Sequence, residues 1–239
     1  MKKAVLFDLG NTLAQYYEQA EFPAILEQGI SNVADHLKSM GMPTISKSDL
    51  SERARQENHE SRDFRVRPLE ERLARIFRLS PAANCDELSS LICRRFMEPI
   101  FALGRVYDDA FISMRELRSE GCRIGIVSNA SWGSPAFLWR EELRRLGLQE
   151  LTDKAVFCRD VGWRKPDSRI FTYALQELAA TADESVFVGD EPQWDFVGPR
   201  AVGMDAIVID RQGRFEKEYP DAIRSLRELP RRLRDRKNV

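Results

Sequence analysis

Short apolar runs that end in polar or acidic residues recur along the chain. They lie at 4–8 (AVLFD), 122–129 (CRIGIVSN), 154–158 (KAVFC), 185–190 (SVFVGD) and 205–210 (DAIVID). Continuous apolar runs of this length are typical of strands that are buried on both faces, as in a parallel sheet. The pattern therefore predicts a parallel sheet built from these runs.

Between the later runs, the apolar residues recur with a helical period. Amphipathic segments occupy 108–121, 134–147 and 166–179. Gly121 closes the first segment as a favoured C-terminal residue, and Asp167 lies at the start of the third, where an N-cap is expected. This alternation predicts an α/β fold with a Rossmann-like three-layer core, a parallel sheet and right-handed crossovers.

Residues 15–105 interrupt this alternation. The segment is rich in Glu and Arg and contains no convincing strand. Its amphipathic stretches predict helices near 20–40, 47–60, 68–79 and 84–101. We therefore predict a core domain formed by 1–14 and 106–239, with a helical domain inserted at 15–105.

Composition and charge narrow the function classes. The 239 residues are 43% hydrophobic and 31% charged, as in ordinary globular proteins, and the net charge of −1 gives no overall attraction to nucleic acid or an anionic membrane. The first apolar stretch breaks at Asp8, too early for a signal peptide, and no run approaches the ~20 residues of a membrane span. We expect a cytoplasmic protein without nucleic-acid or membrane partners. Its basic segment 224–239 is interpreted as a solvated helix face, with nucleic-acid binding as the alternative.

The cysteines and histidines do not form a metal-binding pattern. None of the four cysteines belongs to a CxxC pair, and only His36 and His59 could add imidazole ligands. We interpret the cysteines as reduced, partly buried thiols: Cys85, Cys93, Cys122 and Cys158.

Polar residues end four of the predicted strands: Asp8, Ser128 with Asn129, Asp190 and Asp210. Ligands of open parallel sheets bind at the carboxyl ends of the strands, near the point where the strand order reverses. The first three positions should converge there if the first strand is central. The insertion begins just beyond this edge, so it is placed to cover a site and exclude water.

The residue types at these positions suit phosphoryl transfer. Asp8 offers a nucleophilic carboxylate and Ser128 a hydroxyl, while Lys165 and Asp190 add an ammonium and a second carboxylate. Each residue alone has a plain structural explanation, such as a cap, a turn or a solvated cation. Their occurrence together and in chain order favours a joint function.

In that order the residues resemble the motifs of the haloacid dehalogenase (HAD) superfamily of hydrolases. The motifs read Asp8-Leu9-Gly10-Asn11-Thr12, then Ser128, Lys165, and Gly189-Asp190-Glu191 with Asp195. The resemblance extends from residue 4 to about 210, and the insertion resembles the family's C1-type helical cap. It implies a hydrolase that acts on a small anionic substrate.

The resemblance also implies residue roles. Asp8 would be the nucleophile, with Ser128 and Lys165 as its catalytic partners. Substrate oxygens would be bound by Asn11, Thr12, Ser128, Asn129 and Lys165. Mg²⁺ would be held by Asp8, the carbonyl of Gly10, Asp190, Glu191 and Asp195, since this hard cation prefers oxygen ligands.

Gly10 departs from the family's phosphatase pattern, which has a second Asp at this position as general acid and base. The family's dehalogenases also lack that acid, because halide leaves without a proton, but they do not keep the acidic residues found here at 190, 191 and 195. We therefore expect a Mg²⁺-dependent phosphatase of a small metabolite. A dehalogenase-like hydrolase, or a weakly catalytic relative that binds a phosphorylated ligand or a protein, are the alternatives.

Further residues could complete the site. His59 in the insertion could replace the missing acid, although a surface histidine is the simpler interpretation. An anionic group of the substrate could meet one of Arg62, Arg65 and Arg67. Packing, or the lining of the mouth of the site, would explain Trp132, Trp163 and Trp194. Neither the substrate nor the oligomeric state follows from the sequence.

Overall fold

The computed structural model describes residues 2–80, 86–215 and 217–235. Its strands are β1 (Ala4–Phe7), β2 (Ala14–Gln15), β3 (Arg105–Val106), β4 (Arg123–Ser128), β5 (Lys154–Phe157), β6 (Ser185–Gly189) and β7 (Asp205–Val208). Its helices are α1 (Phe22–Ser39), α2 (Lys47–Glu57), α3 (Leu69–Phe77), α4 (Asp86–Leu103), α5 (Asp108–Ser119), α6 (Ala136–Arg145), α7 (Cys158–Val161), α8 (Ser168–Glu177), α9 (Gly198–Arg200) and α10 (Leu229–Asp235).

The main sheet has the order β5-β4-β1-β6-β7, and every neighbouring pair is parallel. All four residues of β1 are fully buried, because helices cover both faces of this central strand. The α/β fold with a Rossmann-like parallel core and β1 at its centre is thus confirmed. Asp167 caps α8 as predicted, since its side chain accepts a hydrogen bond from the amide of Arg169.

The helical insertion between β2 and β3 is built from α1 to α4. Helix α1 crosses α4 closely because Gly29 has no side chain: a Cβ there would lie 2.8 Å from the carbonyl oxygen of Phe96. The prediction that residues 15–105 contain no strand was wrong at both ends of the segment. There β2 and β3 pair antiparallel and join the insertion to the core. Two-residue strands are too short to carry a periodic pattern.

The insertion rests on the core along a seam formed by residues 64–66 and 162–164. The amide of Val66 donates to the carbonyl of Gly162 at 3.0 Å, and the amide of Arg164 donates to the carbonyl of Phe64 at 2.8 Å. Gly133 lies beside this seam with φ +65°, and a Cβ there would overlap the carbonyl oxygen of Arg67. The close approach of the two backbones therefore requires glycine at 133.

The C-terminal helix accounts for part of the basic segment. Leu229 and Leu233 of α10 are buried, while Arg232 pairs with Asp221 at 2.9 Å and Arg234 with Glu116 at 3.0 Å. These contacts agree with a solvated helix face, and 236–239 lie outside the described residues.

The predicted thiols are more deeply placed than expected where they are described: Cys93, Cys122 and Cys158 are buried. Cys85 lies outside the described residues. A search of the described helices found none with the length and apolarity needed to cross a bilayer.

Candidate active site

Asp8 lies at the carboxyl end of the central strand, at the start of a tight loop. Its amide donates to the carbonyl of Val188 on β6, which holds the end of β1 in the sheet. The loop then turns through Asn11, which has φ +53°, a conformation that asparagine tolerates better than most residues. Asn11 donates its amide to the carbonyl of Ala14 and so closes the turn. The turn keeps the Asp8 carboxylate at the edge of the sheet, only 7% exposed.

One oxygen of the Asp8 carboxylate is held by two donors. The hydroxyl of Ser128, at the end of β4, donates to Asp8 Oδ1 at 3.1 Å, and Lys165 Nζ donates to the same atom at 2.6 Å. Among the described residues, no hydrogen bond to Asp8 Oδ2 is found. The arrangement therefore orients the carboxylate and leaves its second oxygen for a ligand or a reacting atom.

Lys165 is buried between two carboxylates. Its Nζ also donates to Asp195 Oδ1 at 2.6 Å, and the residue is 2% exposed. Burial would lower the pKa of this amine, but the charges of Asp195 and Asp8 outweigh burial and raise the pKa above its ordinary value. Lys165 is therefore a fixed cation at neutral pH.

Asn129 fixes the backbone of Lys165. Its Oδ1 accepts from the amide of Lys165 at 2.8 Å, and its Nδ2 donates to the carbonyl of the same residue at 3.3 Å. This pair of bonds ties the end of β4 to the segment that carries the lysine. No pattern in the sequence indicates this role of the Asn129 side chain.

Three carboxylates converge next to the lysine. Asp8, Asp190 and Asp195 each offer an oxygen, and these oxygens lie within 4.8 Å of one another. Asp195 can approach β6 because Gly189 has no side chain there, and its Oδ2 accepts from the amide of Glu191 at 3.1 Å.

The acidic cluster carries more negative charge than its buried cation balances. Burial, together with the charges of Asp8 and Asp195, raises the pKa of Asp190 to about 8. Burial, opposed by Lys165, raises the pKa of Asp195 to about 6. Clustered carboxylates with raised pKa values fit a site for a hard divalent cation, whose charge would stabilise their ionised forms.

A cleft of about 490 Å³ opens over these residues. It is lined by most of the predicted site: Asp8, Gly10, Asn11, Ser128, Asn129, Lys165, Asp190 and Glu191. Other lining residues were not predicted: Gln15, Tyr17, Glu18, Tyr107, Ile209, Arg211, Gln212 and Arg214. The first group lies on the loops that carry the motifs. The second group comes from the two ends of the insertion, near β2 and β3, and from the loop after β7, where the sequence has no motif.

Two predicted residues do not reach the cleft. Thr12 is fully buried, and its hydroxyl has no hydrogen-bond partner among the described residues. Asp195 lies behind the surface of the cleft, 1% exposed, with Lys165 and the Glu191 amide on its oxygens.

The side chains considered in the insertion also lie elsewhere. His59 Nδ1 lies 2.8 Å from the carbonyl of Gln56 at the end of α2, and the residue does not line the described cleft. Arg67 pairs with Glu57 at 2.6 Å, and Arg65 lies over the ring of Trp163 at 4.9 Å. Arg62 is exposed and is also absent from the described lining.

The three tryptophans near the motifs have different surroundings. Trp194 is 40% exposed and lines the cleft, as expected for a residue at its mouth. Trp132 is buried against Phe96, with ring centroids 5.1 Å apart, and packs the insertion on the core. Trp163 contacts the guanidinium groups of Arg65 and Arg169 and does not line the described cleft.

The fold and this arrangement of residues define a HAD-like hydrolase. Residues 2–203 match the family of haloacid dehalogenase-like hydrolases, and the chain belongs to that family. A glyceraldehyde 3-phosphate phosphatase from Methanothermobacter thermautotrophicus is 28% identical over 222 residues, which cover 89% of this chain and 87% of the relative.

Two solved structures are similar over nearly the whole chain. A HAD phosphatase from Thermococcus onnurineus has a TM-score of 0.66 and 28% identity, covering 97% of both chains. A 2-haloacid dehalogenase from Pseudomonas syringae pv. Tomato DC3000 also has a TM-score of 0.66, with 27% identity and coverage of 98% of this chain and 99% of the other. Overall similarity thus does not distinguish the two chemistries.

Proposed function

We propose that the protein is a Mg²⁺-dependent phosphatase that hydrolyses a small phosphorylated metabolite through an aspartyl-phosphate intermediate on Asp8. The observation that carries this proposal is the cluster of Asp8, Asp190 and Asp195 around buried Lys165. A reaction that expels halide has no need for a divalent metal ion beside the nucleophile. The phosphatase relative supports the same choice. We also propose that the core comprises 1–14 and 106–239, with the helical domain at 15–105.

The donor set fits Mg²⁺. Asp8, Asp190 and the carbonyl of Gly10 would hold the ion, with Glu191 and Asp195 supporting it. When bound, the ion would supply positive charge to the phosphoryl oxygens and to the carboxylates. Because Asp195 already binds Lys165 and the Glu191 amide, we assign it mainly to positioning the lysine.

Asp8, Lys165 and Ser128 have distinct roles in the proposed reaction. Oδ2 of Asp8 attacks phosphorus and forms a P–O bond, while the bond to the leaving oxygen breaks and that oxygen keeps the electron pair. Lys165 offsets the repulsion between Asp8 and the anionic substrate, and Ser128 with the Asn129 amide binds phosphoryl oxygens. Water then hydrolyses the aspartyl phosphate, giving inorganic phosphate and restoring Asp8.

The test is a phosphate-release panel measured with and without Mg²⁺, together with Asp190→Asn. In the unmodified protein, Mg²⁺ at ~100 times its dissociation constant should add about 2.7 kcal/mol to the free energy of unfolding. For a chain of this size the melting temperature should rise by roughly 5–10 °C. Asp190→Asn should abolish that rise and the phosphatase activity.

Asp35→Asn is a matched control, because it removes the same charge from an exposed position on α1. It should keep both the activity and the response to Mg²⁺. No response to millimolar Mg²⁺ in the unmodified protein would refute the metal assignment.

Hydrolysis of a carbon–halogen bond is the second candidate. Gly10 favours it, because halide needs no proton from the position that Gly10 leaves empty. The structural likeness to a 2-haloacid dehalogenase also favours it. Metal-independent halide release from a 2-haloacid, without phosphate release from any ester, would establish this alternative.

A further inference from the structure

Asp210, which ends the last strand-like run, organises the loop that follows β7. The residue is 1% exposed, and its two carboxylate oxygens accept from the amides of Arg214 and Phe215, both at 2.8 Å. Its own amide donates to the carbonyl of Ile223 at 2.8 Å. Asp210 therefore does not face a ligand but fixes the path of residues 211–215 beside the cleft.

The cations that line the described cleft are not equally committed to protein partners. Lys165 is buried between two carboxylates. Arg211 forms a bidentate pair with Asp109, with both distances 2.9 Å, and donates to the carbonyl of Thr12. Both side chains are thus engaged by protein partners, through Nζ of Lys165 and through the two terminal nitrogens of Arg211.

Arg214 differs from these two cations. Its side chain is 49% exposed, and among the described residues its carboxylate partner is Asp190, with an N···O distance of 3.8 Å, beyond hydrogen-bond range. The guanidinium carbon lies 4.8 Å from the ring centre of Phe215, which supports it from one side. No hydrogen bond from this guanidinium group is found within the part of the chain that the structure describes, so the loop presents it to the cleft with donors available to a ligand.

The position of Arg214 relative to the nucleophile is set by the sheet. Ser128 lies on one side of Asp8, on β4, whereas β6 and then β7 lie on the other. Two strand spacings of ~4.8 Å separate β7 from β1, so the loop begins about 10 Å from the nucleophile's strand. A ligand whose phosphate lies between Asp8 and Ser128 could reach Arg214 through a short carbon chain.

We infer that Arg214 determines specificity by binding a second anionic group of the substrate, such as a carboxylate, on the β7 side of the cleft. This inference rests on the proposed phosphatase function. A guanidinium group suits this role because it can donate two parallel hydrogen bonds to a carboxylate or phosphate. The substrate class is therefore a small phosphate ester that carries a further acidic group.

The experiment compares 3-phosphoglycerate with glycerol 3-phosphate, a matched pair that differs in a carboxylate against a hydroxymethyl group. We expect Arg214→Gln to lower kcat/KM for the acid by roughly 10- to 100-fold more than for the alcohol, as expected for the loss of a charge-assisted hydrogen bond. The preference of Arg214→Lys for the acid should lie between that of the unmodified protein and that of Arg214→Gln, since lysine keeps the charge but loses the bidentate geometry. Arg227→Gln, which removes the same charge at an exposed position outside the described lining, should leave the ratio unchanged.

A binding measurement separates this inference from the proposed function. The dissociation constants of both compounds are measured by calorimetry in an Asp8→Asn background, with and without Arg214→Gln. A preference for the acid that disappears with Arg214→Gln would support the inference. This holds even if the unmodified protein releases no phosphate, because the lack of phosphate release would refute only the phosphatase proposal. An equal effect on both compounds would show that Arg214 acts through Asp190, and no effect would show that it is a solvated cation; either outcome would overturn the inference.

Discussion

Replacing Gly10 by aspartate tests whether the protein is a phosphatase that lacks one acid. A Cβ at position 10 would meet nothing within 4 Å, and the backbone there is not in the positive-φ region that disfavours a side chain. The cleft therefore has room for the carboxylate. Gly10→Asp should give a folded protein with a second carboxylate two residues after the nucleophile.

The expected gain depends on the leaving group. General acid–base catalysis contributes roughly 10²–10⁴-fold, so Gly10→Asp should speed the hydrolysis of alkyl phosphates by a factor below ~10⁴. Aryl and acyl phosphates should gain much less, because their leaving groups need little protonation. In the unmodified protein the rate should accordingly fall steeply as the pKa of the leaving group rises.

The substitution should also lower the stability of the metal-free protein. A carboxylate ~6 Å from another costs about 3 kcal/mol at an effective dielectric constant of ~20. The loss of glycine's freedom in the unfolded chain returns about 0.4–1 kcal/mol. The net loss of about 2 kcal/mol corresponds to a fall of roughly 4–8 °C in Tm, and Mg²⁺ should recover much of it.

The assay combines a series of aryl and alkyl phosphates with thermal melts in EDTA and in Mg²⁺. A flat dependence on the leaving group, together with unchanged turnover of alkyl phosphates by a folded Gly10→Asp protein, would refute the missing-acid explanation. The search for a substitute acid would then begin with Glu18, which lines the cleft, rather than with His59, which does not. Glu18→Gln should in that case flatten the pH profile of turnover.

Three further predictions concern the buried charges and the seam. Because the folded-state pKa values of Asp190 and Asp195 are raised to about 8 and about 6, these groups favour the folded state most below pH ~4 and lose that contribution as the pH rises to about 8. The stability of Asp190→Asn relative to the unmodified protein, measured in EDTA by urea unfolding, should therefore increase from pH 4 to pH 8; a constant difference would contradict this. Lys165→Ala leaves buried carboxylates without their cation and should cost about 3–5 kcal/mol at neutral pH by urea unfolding, whereas a loss below ~1 kcal/mol would show that the lysine is not electrostatically essential to the fold. Gly133→Ala forces a Cβ against the carbonyl of Arg67 at φ +65° and should cost more than ~1 kcal/mol, which an unchanged Tm would disprove.

The sequence could predict the parts of the site that lie at strand ends. Asp8, Ser128 and Asp190 each follow a buried apolar run, and parallel strands bring their carboxyl ends to one edge. Lys165 does not follow a strand, and its place in the site came from the motif order alone. Its contact with Asp195 depends on a glycine in β6, which no periodic pattern reveals.

The cleft residues that come from the two ends of the insertion and from the loop after β7 could not be predicted from the sequence. Arg211 and Arg214 lie three residues apart, yet one is tied to Asp109 and the other faces the cleft. Which of them is free depends on long-range pairing rather than on local sequence. His59 is exposed, in agreement with the simpler interpretation of a surface histidine, and its Nδ1 lies 2.8 Å from the carbonyl of Gln56.

The seam between the insertion and the core links movement of the insertion to the position of Lys165. The amide of Arg164 is bonded to Phe64, and the next residue in the chain is Lys165. A swing of the insertion away from residues 162–164 would break this bond and the bond from Val66 to Gly162. Such a swing would be coupled through one peptide unit to the position of the lysine. Amide hydrogen exchange at Val66 and Arg164 should therefore report the opening equilibrium directly, and exchange there should slow whenever a bound anion holds the lysine in place.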